Sequence, residues 1–148
     1  MPDQGASGPD AHAQRRLGVT LWARLARIYG SNMRLAEERL RDWDINVAQF
    51  DVLAHVGAHE GITQRELAQR LLVTQGNITQ LLDKLERRGI IQRCPDGRVN
   101  RLTLTEAGRC LHESVVPNQE RFQAEQFAAL TAEEQRQLLA LLRKLQHG

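Results

Sequence analysis

The sequence has few cysteines and no long apolar run. Only Cys94 and Cys110 occur among 148 residues, and two cysteines at unrelated spacing do not make the disulfide framework of a small secreted protein. No apolar stretch approaches the length of a membrane-spanning helix. The first dozen residues, rich in Gly, Pro, Asp and Ser, lack the hydrophobic segment of a signal peptide. We therefore expect a cytoplasmic protein with no membrane partner.

The sequence also lacks residue sets that would support catalysis. It has no Ser-His-Asp set, no glycine-rich phosphate loop and no paired acids that can be assigned to a pocket. His55 and His59 have the i, i+4 spacing that can place two imidazoles on one metal ion, with Glu60 adjacent, but no further ligand can be placed. We expect ordinary surface histidines, no metal site, no cofactor and no enzyme activity.

Length and composition fit one domain with a hydrophobic core. The chain has 148 residues, of which 41% are hydrophobic, and no internal repeat. Residues 1–12 have no apolar run and are predicted to form a disordered tail. Residues 13–148 are predicted to form a single domain.

The stretch from residue 62 to residue 105 carries the most informative pattern. Thr63 and Glu66 have the spacing of a capping box, in which the Thr side chain caps a helix and the Glu side chain bonds back to the cap. A first helix is therefore predicted from Thr63, followed by a polar turn in which Thr74 can cap a second helix. The apolar residues of the first helix recur at helical spacing: Leu67, Ala68, Leu71 and Leu72.

The second helix of this stretch has one apolar face and one polar face. Its apolar stripe, Ile78, Leu81, Leu82 and Leu85, follows helical spacing, and the helix should stop at Gly89 after two cations. On the polar face, Asn and Gln can bond adenine bidentately in the major groove, and Thr can bond phosphate or touch a thymine methyl. A merely solvated face is the better interpretation of these residues taken alone. The candidate base contacts are Gln75, Asn77, Thr79 and Gln80.

The next element favours the DNA-binding interpretation. Four apolar residues, Ile90, Ile91, Leu102 and Leu104, flank Asp96-Gly97, a dipeptide that favours a tight hairpin with positive φ at both turn positions. The hairpin would carry Arg98 at its tip, with Arg93 and Arg101 along its strands. A helix-turn-helix followed by a basic hairpin is a winged helix.

These motifs together resemble the MarR family of bacterial transcriptional regulators. The resemblance rests on the run GNITQLLDKLERRG at residues 76–89, on the wing motif Asp96-x-Arg98, and on LTEAG at residues 104–108. It extends over about the whole chain after the first dozen residues. It implies that the helix matching residues 74–88 enters the major groove, that the wing arginine reaches the minor groove, and that terminal helices form a homodimer.

The wing departs from the family pattern in two respects. It is short, and the second arginine that often follows the first is replaced by Val99, with Arg101 as the nearest basic residue. Wing contact should therefore be shallower than the resemblance implies.

Charge is distributed unevenly along the chain, although the net charge is only +2. The segment from Thr63 to Arg101 contains eight Lys or Arg residues and four Asp or Glu residues, which gives it a net charge of +4. The other 109 residues carry 12 basic and 14 acidic side chains, a charge of −2. A basic segment on a slightly acidic scaffold is expected of a protein that binds the phosphates of DNA with one side of its surface. The alternative is that this charge distribution arises by chance.

The helices on either side of this unit carry more apolar surface than one small core needs. A helix from about Ala13 to Arg41 has two apolar faces, one with Leu17, Leu21, Leu25 and Ile28 and the other with Trp22, Ala26, Tyr29, Met33 and Ala36. It should be buried on two sides, by its own core and by a partner, although a single wide core face is the alternative. Asn46 and Gln49 imitate a capping box for the next helix, whose Phe50, Leu53 and Val56 supply a third wall for the core.

The C-terminal region predicts two further helices. Thr105 can cap a helix that Pro117 should kink, and Thr131 with Glu134 forms another capping box. The last helix carries Leu138, Leu141, Leu142 and Leu145 in one stripe. Burial of such a side chain stabilises by roughly 1.5–3 kcal/mol, so we expect a two-fold partner to cover the stripe. Packing against the first helix is the alternative.

Regulation by a small-molecule effector is expected from the resemblance, with a pocket between the first two helices and the DNA-binding unit. Trp22, Tyr29, Asp51 and His55 could line that pocket, although such residues are more often core. Peroxide sensors of the family carry a reactive cysteine in the first helix, which has none here. Cys110 is expected to be a small buried residue.

The sequence thus predicts a mainly α fold with a small β-hairpin wing. A winged helix-turn-helix at about residues 46–105 would be flanked by dimerisation helices at about residues 13–42 and 106–147. We expect a sequence-specific regulator that binds double-stranded DNA as a homodimer on a pseudo-palindromic operator and represses transcription until a small molecule releases it. A protein-interaction module without specific DNA binding is the alternative. The predicted DNA contacts are Thr63, Thr74, Gln75, Gly76, Asn77, Thr79, Gln80, Lys84, Arg98 and Arg101.

Overall fold

A computed structural model describes residues 9–146 of the chain, and within them six α-helices and three β-strands. The helices are α1 (Pro9–Leu40), α2 (Val47–Ala58), α3 (Gln64–Leu71), α4 (Gln75–Arg87), α5 (Glu106–Glu125) and α6 (Ala132–Gln146). The strands are β1 (Ile62–Thr63), β2 (Ile91–Asp96) and β3 (Val99–Leu104). The predicted mainly α fold with a small wing is confirmed.

Two compact units divide the chain after Leu35. The first consists, in the described range, of α1 up to that residue. This helix begins at Pro9 rather than at Ala13, so residues 9–12 are helical and not part of a tail, while residues 1–8 of the predicted tail lie outside the described residues. Its large apolar side chains are exposed in the described chain: Leu17, Leu21, Trp22, Leu25, Ile28 and Tyr29. No helix within residues 9–146 combines the length and apolar character needed to cross a membrane.

Every helix start that was predicted from a capping side chain in the second unit is confirmed. In each case a side-chain oxygen of the residue before the helix accepts a bond from a backbone N–H of the first turn, which would otherwise lack a partner. The capping residues are Asn46, Thr63, Thr74, Thr105 and Thr131, and Gln49, Glu66 and Glu134 complete three capping boxes.

One apolar core joins α2, α3, α4, the sheet and α5. The predicted stripe of α4 faces it, with Ile78, Leu82 and Leu85 buried and Leu81 half-buried. The predicted third wall from α2 is also present, since Phe50, Leu53 and Val56 are buried. The core therefore fixes which face of α4 is left for solvent or for a ligand.

The sheet has three antiparallel strands in the order β1-β3-β2. Sequence reasoning missed β1, in which Ile62 pairs with Leu102 and Thr63 with Arg101, because two residues are too few to show the alternation of a strand. Thr63 both ends this strand and caps α3. The sheet thus connects the first helix of the helix-turn-helix to the wing.

The predicted turn of the wing is wrong by one residue. Asp96 pairs with Val99 inside the ladder, so the two central residues are Gly97 and Arg98 rather than Asp96 and Gly97. Only Gly97 has positive φ, at 61°, which is the pattern of a type II′ turn. Asp96 is kept in the strand because its carboxylate bonds Arg101 of β3.

The expectation that Cys110 is buried is also wrong, because both Cys110 and Cys94 are exposed. The buried positions of α5 are Gly108, Val115, Val116, Gln119 and Phe122. Cys110 lies between the first two of these, on the outward side of the helix. Pro117 lies inside α5, which continues to Glu125.

Leu72 departs most from its predicted role. It was assigned to the apolar side of the first helix, but α3 ends at Leu71 and the Leu72 side chain is 93% exposed. Its φ of 54° and ψ of 38° lie in the left-handed region, which reverses the chain direction between α3 and α4. A left-handed conformation costs a non-glycine residue roughly 1–2 kcal/mol.

Leu72→Asn should therefore raise the free energy of unfolding by about 1 kcal/mol, because Asn tolerates the left-handed region and no buried contact is lost. Urea denaturation measures this change. Leu72→Val is the matched control and should destabilise, because a β-branched residue fits this region worse than Leu does. An Asn variant no more stable than wild type would contradict the strain assigned to Leu72.

Candidate nucleic-acid interface

The outer face of α4 is polar, exposed and free of internal bonds. Gln75, Asn77, Gln80 and Lys84 are all exposed, on the side opposite the buried stripe. None of these four side chains has a hydrogen-bond partner within residues 9–146. Gly76, exposed among them, adds no side chain that would keep a ligand away from the backbone. This face therefore presents amide and ammonium groups that are available to an external partner.

The three predicted threonines differ from that face because their hydroxyl groups bond within the chain. Thr63 Oγ1 accepts from the N–H of Glu66 at 3.2 Å and donates to its carboxylate at 2.9 Å. The N–H and hydroxyl of Thr63 lower the pKa of Glu66 in turn. Thr74 Oγ1 accepts from the N–H of Asn77 at 3.2 Å, which caps α4. These hydroxyl groups order the N-termini of both helices.

Thr79 belongs to a short chain of hydrogen bonds that sequence reasoning missed. Its Oγ1 donates to the carbonyl of Gln75 at 2.8 Å and accepts from Nε2 of Gln64 at 2.7 Å. The bond from Gln64 joins the first turn of α3 to the first turns of α4. No sequence signal pointed to Gln64, because the bond depends on how the two helices cross.

The wing places its two predicted arginines in different environments. Arg98, at the tip, is exposed and has no ion pair within the described chain. The Nε of Arg101 lies 2.6 Å from Oδ2 of Asp96, and its Nη1 donates to the carbonyl of Gly61 at 3.1 Å. The bond to Asp96 raises the pKa of Arg101. Arg101 thus links the two wing strands to the segment before β1, while Arg98 is free to meet a ligand.

Arg93 was predicted as a further cation along the wing, but its charge is already compensated. Its guanidinium lies 2.7 Å from Asp83 and 2.7 Å from Glu86, both on α4. It also donates to the carbonyl of Thr79 at 3.2 Å. Arg93 therefore joins the wing to α4.

The positive charge of the unit is consequently carried by fewer residues than the sequence count suggested. Of the eight cations between Thr63 and Arg101, Arg88, Arg93 and Arg101 form ion pairs in the described chain. The other five have no ion pair there: Arg65, Arg70, Lys84, Arg87 and Arg98. Meanwhile Arg101 neutralises Asp96, whereas Arg93 offsets only one of the two negative charges of Asp83 and Glu86. The exposed charge of this region is therefore positive, as an anionic polymer would require.

The proposed effector residues lie in the two separate units. Trp22 and Tyr29 are exposed on α1, at 76% and 67%. Asp51 and His55 lie one turn apart on α2 and are half-buried. Burial raises the pKa of Asp51, and the charge of His55 partly offsets this. Two grooves of the second unit, of about 420 Å³ and 300 Å³, are lined by other residues.

Of the two histidines considered for metal binding, His59 has hydrogen-bond partners for its ring, and His55 stacks against it. Their rings stack with centroids 6.5 Å apart. Nδ1 of His59 lies 3.3 Å from the carbonyl of His55, and its Nε2 lies 3.2 Å from Nη1 of Arg70. Within residues 9–146 no three His, Cys, Asp or Glu side chains are grouped as metal ligands would be.

Asp51→Asn should stabilise the fold at neutral pH, because burial penalises the carboxylate and the amide has the same shape. Since the pKa of Asp51 is raised above its ordinary value of 3.8, the penalty is absent below that pH. The penalty on the carboxylate increases as the pH rises from 3.8 to the pKa of Asp51 in the folded state, and it is constant above that pKa. Denaturation at pH 3 and pH 7 measures the difference between variant and wild type. An equal difference at both pH values would contradict the assignment.

Comparisons with known proteins agree with this geometry. The MarR family model matches residues 43–102. An uncharacterized HTH-type transcriptional regulator of Bacillus cereus is 37% identical over 130 residues, which cover 87% of this chain and 88% of that protein.

Two solved structures are similar over most of the chain. The S. aureus MepR–DNA complex superposes with a TM-score of 0.79 at 28% identity, covering 84% of this chain and 94% of MepR. A mutant of E. coli MarR complexed with operator DNA gives a TM-score of 0.78 at 30% identity, covering 86% of this chain and 94% of MarR. The family and its relatives are regulators rather than enzymes, which confirms that expectation. The chain belongs to the MarR family of transcriptional regulators.

Proposed function

We propose that this regulator binds an operator sequence specifically, as a homodimer, and represses transcription until a small molecule releases it. The observation that carries the proposal is the unbonded polar face of α4 beside a wing whose Arg98 is unpaired in the described chain. MepR and MarR, at 28% and 30% identity, are both solved with DNA, which supports the same partner here.

In this proposal α4 is the recognition helix. Its first two turns present Gln75, Asn77 and Gln80, whose side chains have both donors and acceptors for base edges in the major groove. Gly76 allows the backbone to approach the DNA closely. Lys84, exposed further along α4, would contact phosphate and add affinity without sequence preference.

The remaining predicted contacts have supporting roles. Thr63 and Thr74 cap α3 and α4, and phosphate is favoured at helix N-termini. Arg98 would enter the minor groove or bond phosphate. Thr79 and Arg101 would act mainly by holding Gln64 and Asp96, because their polar groups are bonded within the chain.

Dimerisation is supported by apolar surface that the second unit leaves open. Within α6 no residue is buried, and Leu139, Leu141 and Leu145 are 48%, 58% and 73% exposed. A groove of about 420 Å³ beside them is lined by Phe127, Leu138, Leu139 and Leu142, among others. A second copy of this chain is the occupant we propose, because a two-fold pair would cover both copies of the surface at once.

Release by an effector would act on the dimer. Within the second unit, Asp51 and His55 lie one turn apart on α2, and burial raises the pKa of the Asp51 carboxyl. A small molecule that bonds these two side chains only in the DNA-free arrangement would shift the population away from operator binding.

Base contacts and backbone contacts can be separated by substitution. Asn77→Ala should weaken binding to the operator by about 1–3 kcal/mol and leave binding to random duplex nearly unchanged. Arg98→Ala should weaken both, and the slope of log affinity against log salt should fall by about 0.9 per subunit. Fluorescence anisotropy over a range of salt concentrations measures these quantities on a duplex that wild type selects from a random-sequence library.

Arg121→Ala is the matched control for loss of a cation, because Arg121 is exposed on α5, outside both the DNA-binding unit and the groove beside α6. It should change neither affinity nor slope. Full specificity in Asn77→Ala together with an unchanged slope in Arg98→Ala would show that this unit does not bind DNA as proposed.

The dimer is tested by placing charge in the proposed interface. Leu141→Glu combined with Leu145→Glu removes no buried contact of the described chain, because both side chains are exposed. The variant should sediment as a monomer, and its operator affinity should fall to that of a single half-site. Gln137→Glu, at an exposed polar position of the same helix, is the control and should remain dimeric. A double variant as dimeric as wild type would overturn this interface.

A further inference from the structure

Arg93 forms two ion pairs and three side-chain hydrogen bonds, yet the proposed DNA contacts do not use it. We infer that Arg93 is a positioning residue, which holds the wing against α4 so that both elements fit one DNA surface. We call Arg93, Asp83 and Glu86 the Arg93 cluster. This inference rests on the proposed function, and it names the contact that sets the position of the wing relative to α4.

The Arg93 cluster joins the first strand of the wing to two turns of α4. Nη1 of Arg93 donates to Oε2 of Glu86 and Nη2 donates to Oδ1 of Asp83, each at 2.7 Å. Nη2 also donates to the carbonyl of Thr79 at 3.2 Å. The backbone N–H of Arg93 donates to Oε1 of Glu86 at 3.2 Å, so the strand and its side chain are both attached.

These bonds leave Arg93 little capacity to contact DNA. A guanidinium has five N–H donors. Three of them are used by Glu86, Asp83 and Thr79, and Nε is buried without a partner in the described chain. The side chain is only 17% exposed, whereas Asp83 and Glu86 are 48% and 40% exposed. Arg93 is therefore enclosed by its own partners.

The position of the wing tip is set by bonds nearer its base, where the Arg93 cluster joins β2 to α4 and Arg101 joins β3 to the segment before β1. The tip residues from Pro95 to Asn100 are all exposed, so no core packing fixes them. β2 ends at Asp96, about 10 Å along the strand from Arg93, and Arg98 lies in the turn just beyond it. A rotation of about 15° at the strand base would move the tip by about 3 Å over a lever of roughly 12 Å. Such a shift is as long as a hydrogen bond and would separate Arg98 from its groove.

The cluster also removes negative charge from the neighbourhood of the DNA. Without Arg93, two carboxylates of α4 would lose their counter-charge and repel phosphate. Loss of Arg93 alone would therefore change both geometry and charge. Arg93→Met combined with Asp83→Asn leaves the net charge of the cluster unchanged at −1, because one cation and one anion are removed together.

The test compares wild type with this charge-matched double variant on two duplexes. One is the duplex that wild type selects from a random-sequence library, and the other is a random duplex of equal length. Specific affinity of the double variant should fall by about tenfold or more, as expected when base and groove contacts are misaligned. Its affinity for random duplex and its salt slope should stay near those of wild type, because the charge is conserved.

Folding is followed separately by circular dichroism and thermal unfolding. Arg93→Lys is a second variant, which keeps the charge but cannot form the planar fork to both acids. Its specific affinity should also fall, but by less than that of the double variant. Arg121→Met, outside the cluster and outside the groove beside α6, is the control and should bind both duplexes as wild type does.

Three outcomes would overturn the inference. Full specificity in both Arg93 variants would mean that the cluster does not position the wing. A salt slope lower by about 0.9 per subunit in the charge-matched variant would mean that Arg93 itself contacts phosphate. If wild type selects no sequence at all, the proposed function fails and this inference fails with it.

Discussion

The ion pairs of Arg93 with Asp83 and Glu86 are the contact on which the placement of the wing beside α4 depends. Apolar packing fixes α4 through its inner stripe, but the outer half of the wing has no such support. Removing charged groups from water raises the free energy of the folded state unless nearly all of their hydrogen bonds are formed within the protein. A partly buried cluster of this kind therefore contributes more to a defined geometry than to stability. It converts a helix and a hairpin into one body whose two contact surfaces have a constant separation.

Local interactions explain why so much of the fold could be predicted. Each capping side chain bonds a backbone N–H within three residues, so Asn46, Thr63 and Thr131 determine their helix starts without help from distant parts of the chain. The stripe of α4 was predictable for a similar reason, since helical periodicity alone decides which side chains share a face. The same periodicity identified the polar face that became the candidate site.

Features that depend on tertiary contacts were not predictable. The strand β1 exists because Ile62 and Thr63 lie beside β3, and their sequence carries no strand signal. Leu72 leaves the helix because the crossing of α3 and α4 requires a left-handed residue between them. At the site, a count of charges could not reveal that Arg93 and Arg101 are bonded to acids that precede them by 5 to 10 residues. The bond from Gln64 to Thr79 was hidden for the same reason.

Hydroxyl-radical footprinting of wild-type protein on the duplex that it selects tests the central claim most directly. In the proposed complex, the recognition helices of a two-fold dimer enter successive major grooves, and Arg98 reaches the minor groove beyond each. This arrangement predicts two protected segments related by symmetry, with centres about one helical turn, roughly 34–36 Å, apart, and protected minor-groove sugars outside them. One asymmetric protected segment, or no protection at concentrations that give full binding, would contradict it.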